Sequence, residues 1–145
     1  MSTQAKPTAT ELLPATAAVE EWTTRGGTLE AALDVASQQI ESLSAAISTE
    51  REWTRLVAVA RRTVDPWFAT DWPDTFDSLM LVLPVCRTLD WQCAKCPIGQ
   101  QQDDRACAHP EVPVTRLGMA ISRGEKHRAQ TEVTVLRSML AHARE

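Results

Sequence analysis

Leu29, Leu33, Ala36, Ile40, Leu43 and Ile47 recur at alternating steps of four and three residues, which places them on one face of a helix. Thr28, directly after Gly26-Gly27, can cap its first turn, because a Thr hydroxyl accepts one of the backbone N–H groups that a helix start leaves unpaired. A second helix over 50–64 follows from Thr49 and Glu52 as a capping-box pair, with Trp53, Leu56, Val57, Ala60 and Val64 at helical spacing behind them. The stretch DPWFATDWP, Asp65 to Pro73, interrupts that pattern and reads as a loop whose aromatics cover the core. Asp71 and Pro73 then open a third helix with Phe76, Leu79, Met80 and Leu83 turned inward up to Pro84. The run LMLVL fits a short buried strand equally well by pattern. The helix is preferred because no second strand pattern accompanies it.

Pro110 and Pro113 precede an apolar segment from Val114 to Ser122, Gly124 punctuates, and Ala129, Val133, Leu136, Leu140 and Ala143 again step by four and three. Both striped helices fall short of the three or more heptads of a dedicated coiled coil, so packing within one domain is the favoured use of each. The reading is a mainly α chain, a small bundle of four or five helices with an inserted Cys-rich metal-binding loop at 86–109. Residues 1–16, rich in Thr, Ala and Pro, read as a flexible tail ahead of one domain over 17–145.

Composition narrows the class. At 145 residues a single domain buries about 68–70% of its unfolded surface, so folding does not require disulfides. With 43% hydrophobic and 23% charged residues, the chain is neither disordered nor fibrous. No apolar run approaches the roughly 18 residues a membrane-spanning helix needs, and the first residues lack the charged and apolar regions of a secretory signal. A cytoplasmic, reducing location with no membrane contact is the expectation, and there clustered cysteines serve as ligands or redox thiols more often than as disulfides.

All four cysteines lie in CRTLDWQCAKCPIGQQQDDRACAHP, spaced C-x6-C-x2-C-P with Cys107 ten residues further and His109 just beyond. Two intervening residues let the sulfurs of Cys93 and Cys96 turn toward one point, and thiolates are the soft ligands that zinc and iron–sulfur clusters prefer. Cys86, Cys93, Cys96 and Cys107 suit a [4Fe–4S] cluster or an all-thiolate zinc site; His109 replacing Cys86 is the alternative, with Cys86 then a spare thiol. Pro97, Gly99 and the polar QQQDDR stretch argue against a buried helix or strand here, and a metal would give that loop a reason to be ordered.

The C-x6-C-x2-C-P spacing resembles the first three ligands of the iron–sulfur loop in DNA glycosylases of the endonuclease III and adenine-glycosylase family. The resemblance implies that Cys86, Cys93 and Cys96 are the first three ligands of a [4Fe–4S] cluster and Cys107 the fourth. It covers about 22 residues and departs from the family in its last gap, ten residues instead of five. No Gly-rich helix-hairpin-helix with a catalytic Lys or Asp is present in the sequence, so glycosylase activity is not implied.

The sequence carries no G-x-S-x-G, no H-E-x-x-H and no phosphate-cradling glycine spacing, so no catalytic residue is assigned. His127 and His142 read as surface residues without ligand partners at suitable spacing. Charge is divided unevenly: residues 1–104 hold 8 Lys and Arg against 15 Asp and Glu, whereas 105–145 hold 7 against 4. Arg116, Arg123, Lys126 and Arg128 make nucleic acid a conceivable partner. A protein partner or a second copy, engaged through the striped helices, is preferred. The functional expectation is a non-catalytic metal-binding interaction or regulatory module, with redox or metal sensing as a special case. An accessory or electron-transferring subunit of a larger enzyme, or a nucleic-acid-binding regulator, is the alternative.

Overall fold

The structure, a computed structural model, describes residues 12–13, 15–62, 81–103, 105–107 and 109–144. Among them the chain is mainly helical and contains no strand. Among the described residues, five helices have ten residues or more: α1 (Ala15–Thr24), α2 (Leu29–Ser48), α3 (Glu50–Arg62), α6 (Pro113–Ser122) and α7 (Lys126–Ala143). Two short helices, α4 (Leu83–Thr88) and α5 (Pro97–Gln100), flank a single 3₁₀ turn at Cys93–Lys95.

Helix α2 is the centre of the molecule. Thr28 caps it as its sequence suggests, its hydroxyl accepting the Ala31 N–H at 3.1 Å. Leu33, Ala36, Ile40, Leu43 and Ile47 are all buried, and α2 packs against α7, α4, α3 and α1. The stripe of α7 is buried too, Ala129, Val133, Leu136 and Leu140 lying in the same core. Each fully buried Leu or Ile contributes about 1.5–3 kcal/mol of transfer free energy, and both stripes are buried in one core shared with α3, α4 and α6. Packing within one domain, the favoured use of both stripes, is what the structure shows, and it leaves these faces covered instead of open to a partner helix or second copy. Arg137 makes two hydrogen bonds to the Glu41 carboxylate at 2.6 and 3.0 Å, and Arg144 pairs with Asp34 at 2.6 Å. These exposed pairs fix the antiparallel register of α7 on α2 more than they add stability.

Several local features differ from the sequence reading. The Thr49 hydroxyl donates back to the Ala45 carbonyl at 3.2 Å, so it serves the end of α2, while only its backbone carbonyl receives the Trp53 N–H of α3. A single residue, Thr49, separates α2 from α3. Pro84 begins a helix instead of ending one: it occupies the first turn of α4, where a missing N–H is no loss. The loop expected from Asp65, the end of the helix expected at Val64 and the helix expected from Asp71 as far as Met80 lie outside the described residues; of that helix only Leu81 to Leu83 are described, with Leu81 and Val82 buried ahead of α4. Ordered packing starts before residue 17. Leu12 is buried, and the Leu13 backbone exchanges two 2.9 Å hydrogen bonds with the side-chain amide of Gln39, which satisfies that buried amide. The rest of the tail expected over 1–16 lies outside the described residues up to Glu11 and at Pro14.

Glu132, 6% exposed on α7, faces Arg116 of α6 at 3.3 Å, and its Oε1 finds no hydrogen-bond partner. Removing the cation would strand a buried carboxylate. Arg116→Met should therefore lower unfolding free energy by about 1.5–3 kcal/mol, as read by urea denaturation. Glu132→Gln should have a smaller effect, because the half-exposed guanidinium can turn to water. Equal effects of the two substitutions would contradict this asymmetry.

No helix among the described residues is long and apolar enough to cross a membrane.

Candidate metal centre

Cys86 sits on α4, which docks against α2 and α1. The chain then reverses through Asp90 and Trp91, both in the left-handed region at φ 53° and 63°. For non-glycine residues this conformation costs of order 1 kcal/mol or more each, offset here by a 2.8 Å hydrogen bond from the Trp91 N–H to the Cys86 carbonyl. That reversal returns the chain so that Cys93 follows beside Cys86 instead of running away from it. Trp91 is left 52% exposed.

The Cys93–Cys96 pair forms a tight knuckle. The Cys96 N–H donates to the Cys93 carbonyl at 3.2 Å, and Cys96 then leads into α5, with Pro97 in its first turn and the Gln100 N–H bonded to the Cys96 carbonyl at 2.8 Å. Pro97 and Gly99, which on sequence mark an irregular loop, belong to this short helix, and Ile98 and Gly99 are buried. The reason lies at Gly99. A Cβ there would stand 2.1 Å from the Cys93 carbonyl oxygen and 3.0 Å from its carbon, so the knuckle closes only over a residue with no side chain.

Cys107 arrives from the other side. Thr115 of α6 donates its hydroxyl hydrogen to the Cys107 carbonyl. Gln101 donates to the Met139 carbonyl of α7 at 2.9 Å, holding the intervening loop on the last helix. The neighbouring Gln102 is buried; its amide nitrogen lies 3.0 Å from the Arg105 carbonyl and 3.9 Å from the Cys107 sulfur.

All four cysteines are free thiols. Cys96 and Cys107 are buried in the main core, and Cys86 packs against it. Burial pushes the Cys86 thiol up to about 12, and the nearby Cys107, Cys96 and Cys93 push in the same direction. Cys107 rises to about 11, again mainly by burial and then through Cys96, with the Gln102 hydrogen bond opposing. The fold thus collects four thiols, drawn from α4, the knuckle and the approach to α6, into one neighbourhood. They are neighbours and not yet a shell: no three His, Cys, Asp or Glu side chains among the described residues converge closely enough to hold an ion.

His109 is turned to another task. Its Nδ1 accepts the Glu111 N–H at 3.1 Å. A neutral imidazole has one lone pair to offer, so ligation by His109 would require that bond to break. Arg116, grouped in sequence with the possible phosphate contacts, is held by Glu132, while Arg123 and Arg128 are exposed and Lys126 half-buried. His127 and His142 are exposed on α7.

No family model, no curated protein and no solved structure matches this chain. Its chemistry has to be read from its own residues. Gly99, Gln102 and Thr115 are the positions that sequence spacing did not single out. A glycine three residues after the second cysteine of a C-x2-C pair is a usable signal for the first. The other two depend on the path of the loop and carry none.

The raised thiols make a prediction for the protein without metal. Folding keeps Cys86 and Cys107 protonated where the unfolded chain, with ordinary thiols at 9.0, would ionise them. Their contribution to stability is complete below about pH 9 and is lost as pH rises through about 11 to 12. Melting temperatures of the metal-free chain should fall steadily above about pH 9, and Cys86→Ala should flatten that fall. A profile indifferent to this substitution would contradict the buried state of the thiol.

Proposed function

We propose that this chain is a non-catalytic metal-binding module of regulatory or interaction type, in which Cys86, Cys93, Cys96 and Cys107 hold one [4Fe–4S] cluster or one zinc ion. The observation that carries the reading is the gathering of four free thiols from separate segments at one edge of the core, around a turn that only Gly99 permits. Buried thiols packed for hydrophobicity alone need no such turn. The donor set is soft and all sulfur, which suits zinc or an iron–sulfur cluster and disfavours magnesium or calcium. The bound group would supply positive charge that keeps the cysteines as thiolates and ties α4, the knuckle and the start of α6 together.

Cys86 is preferred over His109 as the fourth ligand because the imidazole lone pair already serves Glu111. Trp91 supports a role through a protein partner. It stands exposed on the loop between Cys86 and Cys93, and tryptophan is enriched where protein partners bind. Metal occupancy would fix the loop that displays it, so occupancy and partner binding would be linked.

Anaerobic purification followed by metal analysis tests this. The expected result is about one zinc or about four iron per chain, the latter with a brown colour and a thiolate-to-iron absorption band. A chain that contains neither metal, takes up neither on reconstitution and keeps all its thiols reactive would overturn the proposal.

A further inference from the structure

Gln102 is 7% exposed, within the ten-residue loop that separates Cys96 from Cys107. The atom facing the Arg105 carbonyl at 3.0 Å must be a donor, so it is the amide nitrogen, and the same nitrogen stands 3.9 Å from the Cys107 sulfur. One NH2 group offers two hydrogens, and these two acceptors use both. The carbonyl side, Oε1, is buried with no partner. Leaving a buried acceptor unpaired is unfavourable, and a neutral thiol is a poor acceptor that returns little. A thiolate returns more, because hydrogen bonds to ionised groups are roughly twice as strong.

We infer that Gln102 is a positioning residue of the metal centre, donating an N–H···S hydrogen bond that orients the Cys107 thiolate and withdraws charge from it. This rests on the metal-binding reading of the four cysteines. The loop between Cys96 and Cys107 then has two separate ties: Gln101 anchors it to α7 through the Met139 carbonyl, and Gln102 turns inward to the ligand. With a cluster, the bond would favour the more negative reduced state and raise the reduction potential. With zinc, it would make the Cys107 sulfur less nucleophilic.

Gln102→Leu removes the donor and also the unpaired acceptor at similar volume, and the Arg105 carbonyl it releases belongs to an exposed residue, so the fold should survive. The test is site-resolved alkylation of the metal-loaded chain by iodoacetamide, followed by mass spectrometry, beside competition for the metal with a chelator. Metal content at saturation should be unchanged and affinity about 10- to 100-fold weaker. Cys107 should alkylate about tenfold faster relative to Cys96 in the variant, the factor that about 1.4 kcal/mol represents. If all the cysteines accelerate together, or none does, while the wild type holds its metal, the role of Gln102 is overturned and the metal centre stands. If the wild type takes up no metal, the reading beneath it is overturned as well. Gln101→Leu serves as the structural comparison, since it loosens the loop without touching the sulfur and should leave the ratio of Cys107 to Cys96 alkylation unchanged.

Discussion

Cys96→Ser is expected to abolish tight metal uptake and to lower the melting temperature of the loaded chain to that of metal-free wild type. Cys96 is the most constrained of the four thiols: it is 7% exposed, accepts no change in backbone path because it leads directly into α5, and shares its turn with Cys93. A hydroxyl at that place is a hard, weakly acidic donor and cannot substitute for a thiolate toward zinc or iron. The size of the effect follows from linkage. Metal at about 1,000 times its dissociation constant stabilises the chain that binds it by about 4 kcal/mol, which at this length corresponds to a melting shift on the order of 10 °C. The small sulfur-to-oxygen change within the core contributes far less. Comparison with the metal-free wild type separates the two, since a packing defect alone would also destabilise the variant when neither protein carries metal. Calorimetry with and without a chelator reads the difference. A variant whose melting temperature still rises on metal addition as much as wild type would contradict the role of Cys96.

The second large effect is expected at Gly99. Alanine is about 1 kcal/mol better than glycine in the interior of a helix, so propensity alone favours Gly99→Ala in α5. Sterics point the other way and win. The new Cβ would meet the Cys93 carbonyl oxygen at 2.1 Å, a backbone atom that cannot rotate aside, and relieving the contact means opening the knuckle. Overpacking of this kind costs about 1–3 kcal/mol, and the displaced Cys93 should weaken metal binding by at least the 10- to 100-fold seen for lost supporting contacts. Gly99→Ala should therefore melt several degrees below wild type and bind metal measurably more weakly. A stabilised variant with full metal affinity would show that the close approach of Gly99 to Cys93 is not part of the fold.

These two positions also show how far sequence pattern reaches. The stripe of α2 from Leu33 to Ile47 was legible because helical period and burial coincide there, and its Thr28 cap followed from local chemistry. The same holds for α7. Packing within one domain is the favoured reading of both stripes and is what α2 and α7 do; which elements each stripe meets was not legible. A four-and-three spacing describes an apolar face without naming the element it meets, and α2 meets α7. Thr49 and Pro84 misled for a related reason, because each residue has two possible roles at a helix boundary and the neighbouring element decides between them. Around the cysteines, the C-x2-C pair announced itself. Gly99 was mistaken for loop punctuation, since its need is set by a contact to Cys93 across the turn. Gln102 was invisible because a buried amide beside a sulfur has no sequence spacing of its own. His109 stands in the sequence as the alternative to Cys86, and the bond its Nδ1 accepts from the Glu111 N–H has no spacing signal of its own.

X-ray absorption at the metal edge of the anaerobically purified chain tests the central claim most directly. Four sulfur neighbours per metal near ~2.3 Å with no nitrogen or oxygen neighbour are the predicted result; with a single zinc they fall to three in Cys86→Ser if the metal is retained, whereas a cluster adds an iron–iron shell. Absence of metal, or a metal surrounded by nitrogen and oxygen, would contradict the account.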